Sequence, residues 1–347
     1  LNIFLTGATG FVGAKLVQNL IQADMTLYLL FRDEHKKNKL LEKLKGFENK
    51  IHFVYGDITS DNCGITPDVL ATLPQMDYFY HIAALVKFDE DLREQLFNIN
   101  LEGTRHALSL ARLLNTKHFL YVSTAYTVGV HEYAKEALHP LDTPVNNPYE
   151  ESKLQAEHLV METAQAFNMK ASILRPAIII GDSVTGEADS KFTLYGFMKA
   201  LKVFKRKMLR SENDTVYRLF ADDNCTSNLV PVDYVVRVLT HAVQHAEDQK
   251  IYHITNNHPP RNLEILSMIK HHLDFNQIDV APIKDKTTMT DEEAVLNGYI
   301  DVFAPYFKKS IVFEENNTVH LLSNVNESTL QLSHDQLDHI IEVYFKN

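Results

Sequence analysis

Two rhythms of apolar and polar residues alternate along the first half of the chain. Short runs of β-branched, leucine and aromatic residues recur at 3–5, 26–31, 51–55, 78–81, 119–123 and 172–175, as strands buried on both faces require. Between them, apolar residues spaced three and four apart predict helices over 12–21, 35–44, 92–114 and 149–167, each with one face turned to a core. Strand and helix in strict alternation predict parallel strands joined by right-handed crossovers. The expected fold class is α/β, a Rossmann-type doubly wound parallel sheet with a smaller, mainly helical C-terminal substrate-binding part. Beyond Gly181 the rhythm loosens into GDSVTGEADS, a helical pattern over 192–205, a strand over 216–220 and a helix after Pro231. A short run at 251–255 suits an edge strand of the main sheet, and the tail from Arg261 reads mostly helical, most clearly in DEEAVLNGYI and SHDQLDHIIEVYF. No repeat or low-complexity linker marks a boundary. The expected domains are therefore 1–180, carrying the cofactor, and 181–347, folding over it as a lid, with 216–255 contributing back to the sheet.

Composition narrows the classes of partner. A chain of 347 residues, 45 % hydrophobic, can bury a substantial core. With 34 Lys and Arg against 45 Asp and Glu, a net charge of -11 and no basic stripe, a nucleic-acid groove is excluded. Cys63 and Cys225 are distant and belong to no CxxC pair, which argues against a disulfide framework or zinc site and fits a reducing cytoplasm. The histidines show no HExxH spacing, so no metal is expected. The longest apolar run, 171–180, is interrupted by Arg175 and Pro176, far short of the roughly 20 residues of a membrane span. LNIFLTG opens directly on a strand with no basic leader, so the sequons at Asn213, Asn316 and Asn326 read as chance. Oligomeric state is not legible.

The first strand runs into Thr6, Gly7, Ala8, Thr9, Gly10, Phe11, Val12 and Gly13, and then a helix. Glycines at such a junction allow a sharp turn and bring backbone N–H groups against a pyrophosphate at the helix N-terminus. The second strand ends in Phe31 and Arg32, followed by Asp33. A positive side chain at this point accommodates the 2′-phosphate of NADP, whereas a carboxylate takes the ribose hydroxyls of NAD. Arg32 directs the expectation to NADP(H). Asp33, one residue away, keeps NAD(H) open. Asp57 and Ile58 follow the third strand, where a carboxylate and an apolar neighbour suit an adenine ring equally as well as a capped turn.

Tyr149 and Lys153 stand four apart in a predicted helix and so share a face. An ammonium beside a phenol favours the phenolate and lowers its pKa, which would let Tyr149 exchange a proton with a carbonyl oxygen. Ser123 and Thr124 lie at the carboxyl end of the fifth strand, the edge on which open α/β sheets bind ligands, and a hydroxyl there can stabilise an oxyanion. Each feature alone reads as ordinary turn or surface chemistry. Together, behind the glycine turn, they point to catalysis.

The motifs TGATGFVG, FRD, GDIT, HIAALV, NINLEGT, YVSTAYTVG, YEESK and LRPAIIIG occur in an order that resembles the extended short-chain dehydrogenases/reductases. LRPAIIIGDSVTGE, NLVPVDYVV and APYFKKSIVFEENNT resemble the thioester reductase and fatty acyl-CoA reductase branch. The resemblance implies Thr124 as the catalytic hydroxyl, Tyr149 as general acid/base, and Lys153 as the residue that lowers its pKa and holds the nicotinamide ribose. It further implies Asp57 and Ile58 at the adenine, and Ala83, Ala84, Asn100, Val122 and Ser123 along the cofactor. Pro176, Ala177, Ile178 and Ile179 would face the nicotinamide. The implied activity is reduction by NADPH of an acyl thioester, on coenzyme A or a carrier protein, to an aldehyde or alcohol. A sugar-nucleotide epimerase or dehydratase, a hydroxy-lipid or sterol dehydrogenase, and a non-catalytic cofactor-binding sensor are the competing expectations.

Overall fold

The computed structural model describes residues 1–23, 25–188, 193–208, 215–222, 224–282, 287–301 and 304–346. Two compact units form. The first comprises Leu1–Ala177, Asp233–Thr255 and Phe313–Thr329, and the second Ile178–Val232, Asn256–Val312 and Leu330–Asn347.

Among the described residues, the first unit holds one seven-stranded sheet. Its strands are β1 (Asn2–Thr6), β2 (Thr26–Phe31), β3 (Ile51–Tyr55), β4 (Tyr78–His81), β5 (His118–Val122), β6 (Lys170–Pro176) and β7 (Lys250–Ile254). All pair in parallel, in the spatial order β7-β6-β5-β4-β1-β2-β3. The order reverses between β1 and β4, which opens a crevice beyond their carboxyl ends. A core that includes Phe4, Phe79, Phe119 and Ile173 packs against the sheet, and these residues have no exposed surface. The helices that shape the site are α1 (Phe11–Leu20), α2 (Glu34–Lys43), α3 (Gly103–Leu113) and α4 (Pro148–Ala166).

Each strand expected in the first half is present, within two residues at its ends. The helix expected over 92–114 is instead interrupted: Arg93–Phe97 and α3 are joined by a wider π-type turn at Asn98–Glu102. Asn100 explains the irregularity. Its buried amide accepts from Leu85 N–H at 2.8 Å and donates to Leu85 O and Ser152 Oγ at 3.0 Å, bonds that fix the segment after β4. Of 216–255, Lys250–Ile254 joins the main sheet while Tyr217–Phe220 pairs with Ile278–Ala281 in the second unit. That second pairing, the helix Asn262–Leu273 and the helix Asn316–Ser323 were not legible as separate elements. The helix expected from Phe192 is described over Leu194–Met208; Phe192 itself and Asn213 lie outside the described residues.

Candidate active site

At the end of β1 the turn is closed by Gly10 N–H donating to Gly7 O at 3.0 Å. Gly7 has φ 75°, and a Cβ there would lie 2.6 Å from Ala83 N; one on Gly13 would lie 2.1 Å from Gly7 O. Only glycine fits either place. Gly10 caps α1 with no side chain, so the first N–H groups of the helix remain available to an anion. Thr9, Phe11 and Val12 are half-buried around the turn. The buried Thr6 hydroxyl accepts from Ile82 and Ala83 N–H at 3.2 and 3.3 Å, holding the β4 segment with Ala83 and Ala84 against the turn. This is a cradle that fits a pyrophosphate.

Beyond β2, Arg32 is 65 % exposed and its Nη1 lies 2.8 Å from Asp57 Oδ2. Asp57 Oδ1 accepts from both the backbone and the hydroxyl of Thr59 at 3.0 Å. Burial raises the Asp57 carboxyl, but these bonds outweigh it and leave the pKa below its ordinary value. All its oxygens thus have protein partners, whereas Ile58 beside it is buried. Asp33 Oδ1 caps α2 by accepting from Lys36 N–H at 3.1 Å. Lys37 is occupied by Glu34 at 2.9 Å and stands over the Phe31 ring.

The start of α4 positions the candidate catalytic side chains. Asn147 Oδ1 accepts from Glu150 N–H at 3.0 Å, and Pro148 occupies the first turn, so helix and register begin at one defined residue. Tyr149 falls in the first turn and Lys153 one turn on. The Thr124 hydroxyl stands near enough to the Tyr149 phenol to act on its titration, and Phe88 meets the Tyr149 ring edge-on at 5.9 Å between centroids. Val122, Ser123 and Thr124 are buried, and Ser123 Oγ finds no hydrogen-bond partner among the described residues. A buried hydroxyl without a partner at this sheet edge suits a bound group.

The described hydrogen bonds of Lys153 run elsewhere than to Tyr149: its buried Nζ donates to Val122 O at 2.8 Å and Tyr121 Oη at 3.1 Å. Burial, then the Glu150 charge, raises the Tyr149 pKa, and the Thr124 hydroxyl only partly offsets them. Burial also pushes the Lys153 ammonium down to about 7, against a small opposing pull from Glu157. Tyr149 is therefore held as a proton donor rather than poised as a phenolate.

Pro176 and Ala177 end the first unit, with Ala177 N–H donating to Ile254 O at 3.0 Å. Ile178 and Ile179 begin the second, paired in parallel with Leu229 and Val230. Within the second unit, an apolar cavity is lined by Phe197, Leu219, Phe220, Leu266, Val280 and Phe307; none of the candidate catalytic side chains belongs to it. Among the described residues no His, Cys, Asp and Glu cluster could hold a metal, and no helix is long and apolar enough to cross a membrane. Tyr121, His81 and Thr104, which connect to Lys153, escaped the sequence because they read as core positions of strand and helix.

The sheet order, the glycine cradle and the Thr124, Tyr149 and Lys153 arrangement define an extended short-chain dehydrogenase/reductase. Residues 5–239 match the NAD-binding family model described as male sterility protein, and the chain belongs to that family. The Drosophila melanogaster fatty acyl-CoA reductase wat is 27 % identical over 286 residues, which cover 68 % of this chain and 53 % of that protein. L-2-aminoadipate reductase of Schizosaccharomyces pombe is 26 % identical over 74 % of this chain and 19 % of its own length. The chain thus spans about half or less of these relatives. Among solved structures, the terminal R domain of the myxalamid PKS-NRPS pathway superposes with a TM-score of 0.78 at 24 % identity, covering 99 % of this chain and 89 % of its own. UDP-glucuronic acid 4-epimerase from Bacillus cereus, in complex with NAD, gives 0.69 at 20 % identity, covering 100 % and 99 %. These likenesses establish the fold they share.

Proposed function

We propose that the chain reduces an acyl thioester, carried on coenzyme A or on a carrier protein, with NADPH as the hydride donor. The observation that carries this reading is the neighbouring Thr124 and Tyr149 hydroxyls at the carboxyl edge of β5, on the same sheet edge as the glycine cradle. The names of the relatives, fatty acyl-CoA reductase and aminoadipate reductase, support a thioester in place of a sugar.

Bound NADPH would supply hydride to the carbonyl carbon. As the C=O π pair moves onto oxygen, Tyr149 donates its proton there and Thr124 hydrogen-bonds the developing charge. Lys153 stands one turn along α4, where it can hold the nicotinamide ribose. Collapse of the resulting hemithioacetal breaks the C–S bond, releases the thiol and leaves an aldehyde, which a second hydride would convert to an alcohol. No cysteine nucleophile enters, in keeping with Cys63, whose thiol burial pushes up to about 12. Arg32 is assigned to the 2′-phosphate, Gly7, Gly10 and Gly13 to the pyrophosphate, Ile58 to the adenine face, and Ser123 to the cofactor or substrate.

The test follows NADPH absorbance with acyl-coenzyme A thioesters, carrier-bound thioesters, fatty aldehydes, sterols and sugar nucleotides. Turnover of thioesters is expected, falling about a hundred- to ten-thousand-fold in kcat/KM in Tyr149→Phe. Turnover of sugar nucleotides alone would overturn the reading.

A further inference from the structure

A buried chain of polar groups runs from Lys153 across the sheet to the glycine turn. Tyr121 Oη lies 3.1 Å from Lys153 Nζ, and the Thr104 hydroxyl stands near enough to the same phenol to act on its titration. Thr104 Oγ donates to Asn100 O at 2.6 Å and lies 3.0 Å from His81 Nε2. His81 Nδ1 is 2.7 Å from Thr6 Oγ, the hydroxyl that accepts from Ile82 and Ala83 at the phosphate-binding turn. His81 and Tyr121 are register partners on β4 and β5, with their rings stacked at 5.7 Å. Tyr121, Thr104 and Thr6 are fully buried and His81 nearly so.

The protons in this chain have one consistent arrangement. Thr104 gives its only proton to Asn100 O, so it must accept from His81 Nε2 and can meet the Tyr121 hydroxyl only as an acceptor. With its proton on Nε2, neutral His81 accepts at Nδ1 from Thr6, whose lone pairs take the two backbone N–H groups. Burial, with the Lys153 charge adding to it, pushes His81 down to about 3, which keeps it neutral. Lys153 Nζ donates to Tyr121 Oη, so the phenol presents a lone pair to the ammonium and its own proton is left to turn toward Thr104.

We infer that Tyr121 is a positioning residue for Lys153, fixed as a pure acceptor by the relay Thr104, His81 and Thr6 that ends in the phosphate-binding turn. It holds the ammonium at the mouth of β5 and favours its charged form. The groups facing Lys153 are Tyr121 on β5, His81 on β4 and Glu157 on α4, with Glu157 itself neutralised by Arg175 of β6 at 2.6 Å. Of these, Tyr121 alone contributes a side-chain hydrogen bond to Nζ; the Val122 carbonyl supplies the other. This role rests on the reading of Lys153 as part of the active site, but its test does not need the substrate.

The experiment titrates the apo protein, labelled with 13C at lysine Cε, by NMR, the Lys153 signal being assigned from its loss in Lys153→Met. Tyr121→Phe keeps the ring that Nζ stands over at 4.5 Å and removes only the hydroxyl. The Lys153 midpoint is expected to fall by about half a unit or more, since a buried ammonium loses an acceptor. Thr104→Val, which frees Tyr121 to reorient its proton, is expected to lower it in the same direction, and Thr104→Ser to restore it. The Thr104 pair decides the matter if Tyr121→Phe does not fold. An unchanged midpoint in folded Tyr121→Phe, or equal midpoints in the two Thr104 variants, would overturn the assignment. If the midpoint moves but no acyl thioester is reduced, the positioning stands and the proposed substrate falls. Where thioesters are reduced, Tyr121→Phe is expected to shift the alkaline limb of kcat to lower pH by the same interval, with KM little changed.

Discussion

At the scale of single residues, charge and burial act against each other in ways the spacing of Tyr149 and Lys153 did not disclose. That the two share a helix face was legible, because four-residue spacing fixes it. That Nζ would turn toward Tyr121 and Val122 was not, since it depends on groups brought from β5. The consequence is measurable in stability. Lys153 has an ordinary value of 10.5 and is pushed to about 7 in the fold, so between those values the unfolded chain binds more protons and stability rises with pH. The burial penalty is fully present below pH 7 and relieved as pH climbs through 10.5. Lys153→Met is therefore expected to gain stability relative to the parent by up to a few kcal/mol at pH 6, and the advantage should shrink by pH 10 in denaturant titrations at the two pH values. Arg32 carries a separate expectation. It shares its guanidinium with Asp57 but is largely exposed, so Arg32→Ser should raise KM for NADPH about tenfold, the equivalent of roughly 1.4 kcal/mol, with NADH little affected. Equal effects on both cofactors would move the 2′-phosphate elsewhere.

Elements position these residues through their ends. β1, β4 and β5 deliver Thr6, His81 and Ser123 to one edge because a parallel sheet turns all its carboxyl ends the same way. The strands were legible since each is a compact apolar run, and α4 was legible from NPYEESK. The break in the helix over 92–114 was not, because NINLEGT has helical periodicity and its departure comes from Asn100 bonding Leu85 and Ser152 across the fold. A second long-range tie, also hidden in a helical pattern, joins α4 to β6. Glu157 and Arg175 are fully buried and meet at 2.6 and 2.8 Å, while Arg175 Nη1 also donates to His253 Nε2 at 3.3 Å on β7. His253 must then carry its proton on Nδ1, which donates to Glu314 O at 2.7 Å, and burial, with the Arg175 charge, pushes its pKa down to about 3. Glu157→Gln leaves the guanidinium buried without its counter-charge and is expected to destabilise by about 3–5 kcal/mol. The double variant Glu157→Gln with Arg175→Met should recover part of that loss, a comparison read from denaturant midpoints.

Across the whole molecule, the chain visits the first unit, leaves at Ala177, returns over Asp233–Thr255, leaves again and returns over Phe313–Thr329. The first return was legible, because the short apolar run at 251–255 reads as an edge strand of the main sheet and Lys250–Ile254 takes that place; the second was not, because Phe313–Thr329 is short and its partners lie far away in sequence. The last one is built into the first unit by specific bonds. Glu136 accepts from His253 N–H at 3.0 Å and Asn317 N–H at 2.6 Å, so one carboxylate ties β7 to the N-terminus of Asn316–Ser323. Asn317 Nδ2 donates to Ile251 O at 2.8 Å and Thr318 Oγ to His253 O at 2.7 Å, while Thr318 and Leu322 are completely buried. A segment almost 320 residues from β1 therefore belongs to the same cooperative structure as the glycine turn. Leu322→Ala is expected to lower the stability of the first unit by about 2–5 kcal/mol, with hydrogen exchange accelerated along Lys250–Ile254 and the neighbouring β6. Acceleration confined to Asn316–Ser323 would show instead that the returning helix opens independently, and would remove Phe313–Thr329 from the unit that holds the site.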